Sequence, residues 1–270
     1  MSKEPKNIRK AKEERNWKGL RNWKRLVVIS DLHCGHPKGL VPPAWQVHAA
    51  QEEFWKWYTS SMQVLQPVDI VLVNGDAIDG NGRINSGIEL ITTNRLEQVA
   101  MAAECVDVVQ AKSHVFTTGS PYHVGKAEDF EEVLARQFSG HFEDRVLLDV
   151  NGLRIDARHH HSRSVIPHGR NTALARSAMW NVLIAAMQED TSPSVLIRSH
   201  VHYHTYFGDP VLGLGMTTPC LQWDSRYGSK ICEGVITVGF VYFDIFEDGS
   251  YTWSAVKADP KLKRRSVVSL

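Results

Sequence analysis

Five short apolar runs in this chain each stop at a cluster of aspartate, histidine or small polar residues, and this narrows the folds open to it. RLVVIS (25–30) leads into Asp31-Leu32-His33, and DIVLVN (69–74) into Gly75-Asp76-Ala77-Ile78-Asp79. HVFTT (114–118) leads into Gly119-Ser120-Pro121-Tyr122-His123, LRIDAR (153–158) into His159-His160-His161, and SVLIR (194–198) into Ser199-His200-Val201-His202. Short β-branched and aliphatic runs of this kind read as buried strands. Loops at strand ends are where α/β folds build their sites.

Helical patterns alternate with these strands in the first half of the chain, over about 44–65, 95–110 and 127–138. The last third is strand-rich after a long apolar helix at 171–188. RVLLDV and LRIDARH are expected to form a hairpin turning at Asn151-Gly152, because both turn positions tolerate positive φ. A second turn at Glu247-Asp248-Gly249 lies between GVITVGFVYFDIF and YTWSAV. Strands alternating with helices and then accumulating suggest two packed sheets with helices outside.

A length of 270 residues with 43% hydrophobic content suffices for one sizeable core. No apolar run approaches the roughly 20 residues of a membrane-spanning helix, and the N-terminus lacks a signal-peptide core, so a soluble, cytoplasmic protein with no membrane contact is expected. Cys34, Cys105, Cys220 and Cys232 form no CxxC pair, which argues against a disulfide framework or a thiolate zinc knuckle. Charge is uneven. Residues 1–25 hold ten Lys/Arg and three Glu, within a chain whose net charge is +1. This basic arm, with Trp17 and Trp23 among its cations, reads either as a polyanion contact, nucleic acid included, or as a solvated extension. The expected organisation is the arm (1–25), one domain (26–257) and a basic tail (258–270).

In an extended segment, side chains at i and i+2 point the same way. Asp31 with His33, and His200 with His202, can therefore each converge on one ion. His204 continues the alternation as a weaker candidate. Gly75 lets the backbone come close while Asp76 points inward, and Asp79 can orient its neighbours. One of His159, His160 and His161 is expected to reach the site.

In order along the chain, these clusters resemble the motifs of the calcineurin-like metallophosphoesterases: Asp-x-His, Gly-Asp-x-x-Asp, Gly-Asn-His, a histidine usually followed by glycine, and Gly-His-x-His. The resemblance spans about residues 26–205 and implies a four-layer αββα sandwich of two mixed β-sheets flanked by helices, with a dinuclear metal centre. Carried over, Asp31, His33 and His202 hold the first ion, Asp76 bridges, and His160 with His200 holds the second. His161 and Asp79 lie behind them. The third motif departs from the pattern: Gly119-Ser120 replaces Gly-Asn, so Ser120 would offer a hydroxyl where the family has an amide oxygen. His123, displaced by two residues, would be the catalytic histidine or itself a metal ligand. His123-Val124-Gly125 is similar to phage and prophage members, which would place the protein in a host cytoplasm.

Such a centre implies phosphoester hydrolysis by a hydroxide held between two divalent ions. Mixed carboxylate and imidazole ligands suit Mn, Fe, Zn or Ni better than Ca without choosing among them; Mn is expected first, with Fe, Zn, Ni or Mg as alternatives. Arg83 and Arg163 are candidate phosphate contacts. The expected activity is a phosphodiesterase, on nucleic acid or nucleotides. The alternatives are a phosphomonoesterase, protein phosphatases included, and a non-catalytic metal-binding module. Oligomeric state stays open.

Overall fold

The computed structural model describes residues 21–81, 87–124, 129–162, 164, 166–223 and 236–258. Arg83, Arg163, Cys232, the first twenty residues of the arm and the tail beyond 258 lie outside them.

Strand β1 (Trp23–Ile29) is followed by α1 (Ala49–Leu65), β2 (Val68–Asn74), α2 (Arg95–Asp107), β3 (Ala111–Thr117), α3 (Pro121–Val124) and α4 (Phe130–Gln137). Then come β4 (His141–Glu143), β5 (Val146–Val150), β6 (Leu153–Arg158), α5 (Arg170–Met187) and β7 (Val195–Arg198). Strands β8 (Thr205–Asp209), β9 (Gly213–Thr217), β10 (Gly239–Phe246) and β11 (Tyr251–Lys257) close the chain. One sheet has the order β11-β10-β1-β2-β3-β4, the other β5-β6-β7-β9-β8. Each mixes parallel with antiparallel pairs: β1–β2 and β6–β7 are parallel, β1–β10 and β5–β6 antiparallel.

The alternation of strand side chains makes these sheets into layers. Val27 and Ile29 of β1, with Val71 and Val73 of β2, pack beneath Phe54, Tyr58 and Met62 of α1 and Val99, Ala102 and Val106 of α2. Leu26, Val28 and Leu72 point the other way and meet Ile155, Ala157, Val195, Ile197 and Met216 of the second sheet. That sheet's outer face is covered by α5 through Leu174 and Ala178 against Leu196. The result is helix, sheet, sheet, helix, as expected. A central strand buried on both faces must be apolar throughout, and each such side chain contributes about 1.5–3 kcal/mol.

Several boundaries differ from the sequence reading. The helix expected from about residue 44 starts at Ala49, because Gln51 Oε1 accepts from the amides of Val47 (2.8 Å) and His48 (3.0 Å) and caps it there. Strand β1 begins at Trp23, so Trp23–Arg25 lie in the sheet. Arg25 is buried and held by Asp244 and the Leu65 carbonyl. The β8–β9 hairpin has no apolar run to announce it; its turn rests on Asp209 Oδ1 accepting from Val211 and Leu212. The expected hairpin β5–β6 does turn at Asn151-Gly152, with φ of 54° and 83°.

Candidate metal centre

The ends of β1, β2 and β3 in one sheet and of β6 and β7 in the other meet at a buried polar seam. Asn74 donates to Ser199 Oγ (2.6 Å) and accepts from Thr117 Oγ1 (2.9 Å). Thr218 Oγ1 links Ser199 Oγ and Ser30 Oγ at 2.7 Å each. The Asp31 and Asp76 loops run together, with Asp31 N on Gly75 O (3.0 Å) and His33 N on Asp76 O (3.1 Å). Buried polar groups satisfied this fully give a rigid floor.

Above that floor, Asp31, His33, Asp76, His200 and His202 all have left-handed backbone, with φ of 51°, 46°, 53°, 74° and 55°. This corrects the extended-segment expectation: each pair converges because both of its members sit in αL. Such a residue costs roughly 1–2 kcal/mol and persists only where its surroundings over-determine it.

Three groups of donor atoms form among the described residues: Asp31–His33–His202, Asp76–His159–His200, and His33–Asp79–His123, which shares His33 with the first. In the first, His202 Nε2 lies 3.2 Å from Asp31 Oδ1 and 3.2 Å from His33 Nε2. In the second, Asp76 Oδ2 lies 3.0 Å from His159 Nε2 and 3.9 Å from His200 Nδ1. His123 Nε2 approaches the same oxygen at 3.9 Å.

Outer contacts aim these rings. His33 Nδ1 faces Asp79 Oδ1 at 3.0 Å. His159 Nδ1 donates to the Asn74 carbonyl (2.8 Å) and His123 Nδ1 to the Asp79 carbonyl (2.7 Å), since a carbonyl can only accept. Both Nε2 atoms are therefore turned toward Asp76, where each can carry a proton or, once that proton is lost, ligate an ion.

The residues fit divalent metal. Asp31 Oδ1, His33 Nδ1 and His159 Nε2 are buried and make no hydrogen bond of acceptable geometry despite their close neighbours. Atoms sharing an ion at about 2.1 Å stand about 3.0–3.4 Å apart, close to the spacing seen here. Burial pushes the Asp31 carboxyl up, but His202 outweighs it and holds it at about 2. Burial acts likewise on Asp76, where His159 prevails and keeps the carboxyl well below its ordinary value. Burial, reinforced by His123, keeps the His33 imidazole down at about 4 and hence neutral. The two buried carboxylates are paired with the His202 and His159 rings, both held above the ordinary imidazole value despite burial, and divalent ions would take the place of those protons.

Asp31, His33, Asp76, His200, His202, Asp79 and His123 thus come together. His160 does not. It is exposed and stacks on His200 at 5.3 Å, while His159 takes the place beside Asp76. The reason is strand alternation: Leu153, Ile155 and Ala157 face inward, and His159 continues that face. His161 is buried, with Nε2 unpartnered among the described residues; burial and Arg198 hold it down at about 4. No contact ties it to the donor clusters. Ser120 donates to Asp76 twice, from N to Oδ1 (2.6 Å) and from Oγ to Oδ2 (3.2 Å). His204 faces the Thr217 carbonyl, outside the site. Sequence reasoning missed Asn74, Ser199 and Glu131, a buried carboxyl accepting from Ala77 N at 2.6 Å. Only the polar ends of otherwise apolar strands hinted at the first two.

No family model matches the sequence, and no curated protein matches it. Solved structures do. A single mutant of Vps29 from Entamoeba histolytica is 13% identical, with a TM-score of 0.45, over 87% of this chain and 99% of that one. A novel archaeal phosphodiesterase is 11% identical, with a TM-score of 0.43, over 86% and 99%. Purple acid phosphatase PPD1 from yellow lupin is 11% identical, with a TM-score of 0.45, over 89% of this chain and 52% of its own. At such identities and scores, the chemistry has to be argued from the residues themselves. No helix among the described residues is long and apolar enough to cross a membrane.

Proposed function

We propose that this protein is a calcineurin-like metallophosphoesterase acting on phosphodiesters. The observation that carries the proposal is the pair of donor groups Asp31–His33–His202 and Asp76–His159–His200, in which every residue but His159 has left-handed backbone. Divalent ions, Mn among those that mixed carboxylate and imidazole donors suit, would supply a nucleophile near neutral pH and positive charge against phosphate oxygens. Asp76, which touches both His159 and Ser120, is the residue to lie between the two positions. His123, whose Nδ1 is anchored on the Asp79 carbonyl, presents Nε2 to the site and can give a proton to the leaving oxygen. Ser120 holds Asp76 in place by its two donated hydrogen bonds. Arg83 and Arg163 are proposed as phosphate contacts on their sequence positions alone.

Nucleic acid is the substrate class that the basic arm favours, since phosphate contacts dominate such affinity. Metal-stripped protein refilled with Mn²⁺ should cleave a chromogenic phosphodiester faster than the matching monoester. Preference for the monoester would reverse the substrate assignment. Replacing Lys10, Lys12 and Arg15 by Gln should flatten the salt dependence of polynucleotide binding; an unchanged slope would remove the arm from the account.

A further inference from the structure

Helix α5 packs on the second sheet with Leu174 and Ala178, yet its opposite face is apolar and bare among the described residues. Met179, Trp180, Leu183, Ile184 and Met187 are 48%, 56%, 45%, 42% and 84% exposed. Their spacing of three and four residues makes one continuous stripe along the helix. Scattered exposed apolar side chains need no explanation, but a contiguous stripe holding a tryptophan and two methionines does.

We propose that this stripe is the interface with a second copy of this chain, two α5 helices packing antiparallel about a two-fold axis at Leu183. Area and charge favour that occupant. The stripe exposes on the order of 500 Å², near the upper limit for the bare patch of a monomer. Pairing two copies removes about 1,000 Å² from these side chains alone, and flanking residues bring that into the roughly 1,200–2,000 Å² of stable interfaces. A two-fold interface must be self-complementary. Centred on Leu183, the antiparallel register sets Met179 opposite Met187, and Arg176 opposite the acidic Glu189 and Asp190 that follow the helix. Each end then joins Arg176 to the Glu189 carboxylate, Asp190 being already paired with Arg154 of its own chain at 2.7 Å. No residue of the metal centre lies on the stripe, so association and hydrolysis are separable.

Sedimentation velocity on the full chain tests this. The expected result is a species of twice the 30.4 kDa chain mass at micromolar concentration. Leu183→Glu and Trp180→Glu should each yield monomers with unchanged far-ultraviolet circular dichroism. Arg176→Glu should weaken the dimer at least tenfold, and adding Glu189→Arg should restore it. A wild-type monomer at 100 μM, or a dimer that survives Leu183→Glu, would overturn the interface. Failure of the charge reversal to restore the Arg176→Glu variant would overturn the antiparallel register.

Discussion

His159 Nε2 lies 3.0 Å from Asp76 Oδ2 while the other nitrogen of the same ring donates to the Asn74 carbonyl at 2.8 Å. One hydrogen bond therefore fixes which nitrogen faces Asp76, and the strand that carries Asn74 is also the one that delivers Asp76. Its neighbour His160 has no such anchor. His159→Ala should lower Mn²⁺ affinity by about 100-fold or more, and His160→Ala by less than about threefold, measured by isothermal titration calorimetry. Equal losses would contradict the assignment of His159.

Asp79 acts through two histidines. Its carboxylate faces His33 Nδ1 and its carbonyl accepts from His123. Asp79→Asn keeps the shape but loses the negative charge behind His33. Mn²⁺ affinity should fall about 10- to 100-fold, as it does when such orienting partners are removed elsewhere. The carbonyl that anchors His123 is unaltered, so kcat at saturating metal should fall much less. A loss of kcat with unchanged metal affinity would refute this role.

Glycine substitutions separate backbone strain from site geometry. Gly152 has φ of 83° and nothing within 4 Å of an added Cβ, so Gly152→Ala should cost only about 1 kcal/mol in urea unfolding. Gly75 has φ of 78°, and an added Cβ would collide with the His159 ring. Gly75→Ala should cost more stability than Gly152→Ala and weaken Mn²⁺ binding as well. Equal effects of the two substitutions would sever the link between Gly75 and His159.

The layers were legible in the sequence because central strands buried on both faces must be apolar, as RLVVIS and DIVLVN are. The positions of Asp31, His33, Asp76, His200 and His202 were legible because polar residues interrupt those runs at their ends. Their left-handed backbone was not, since nothing in Asp-x-His or His-x-His distinguishes an extended segment from one folded back at both residues. His159 was readable from the inward alternation of Leu153, Ile155 and Ala157, whereas the analogy with a histidine-glycine motif pointed to His160, which is exposed while His159 lies beside Asp76. The β8–β9 hairpin escaped because its order is set by pairing with β7 and by side-chain caps, which no local pattern records.

Away from the site, Asp156 is buried between Arg145 and Arg198, with oxygens at 2.6 and 2.7 Å from their nitrogens. Burial raises its carboxyl, but Arg145 and Arg198 outweigh it and leave it below the ordinary value. The folded state then binds the proton less readily than the unfolded chain. The resulting stabilisation is present above about pH 4 and is lost as pH falls through the depressed folded value. Asp156→Asn should destabilise the fold by about 3–5 kcal/mol at pH 7, because it leaves the arginines unpaired. The difference from the wild type should shrink as unfolding is repeated toward pH 3; a gap that stays constant would contradict this origin.

The most direct test of the metal centre is to follow bound Mn²⁺ and phosphodiester hydrolysis together while metal-stripped protein is refilled. Hydrolysis should rise with occupancy to saturate at two equivalents per chain, and Asp76→Ala should lose both the binding and at least about a thousandfold in rate. Two equivalents bound without turnover, or turnover that survives chelation, would contradict the account.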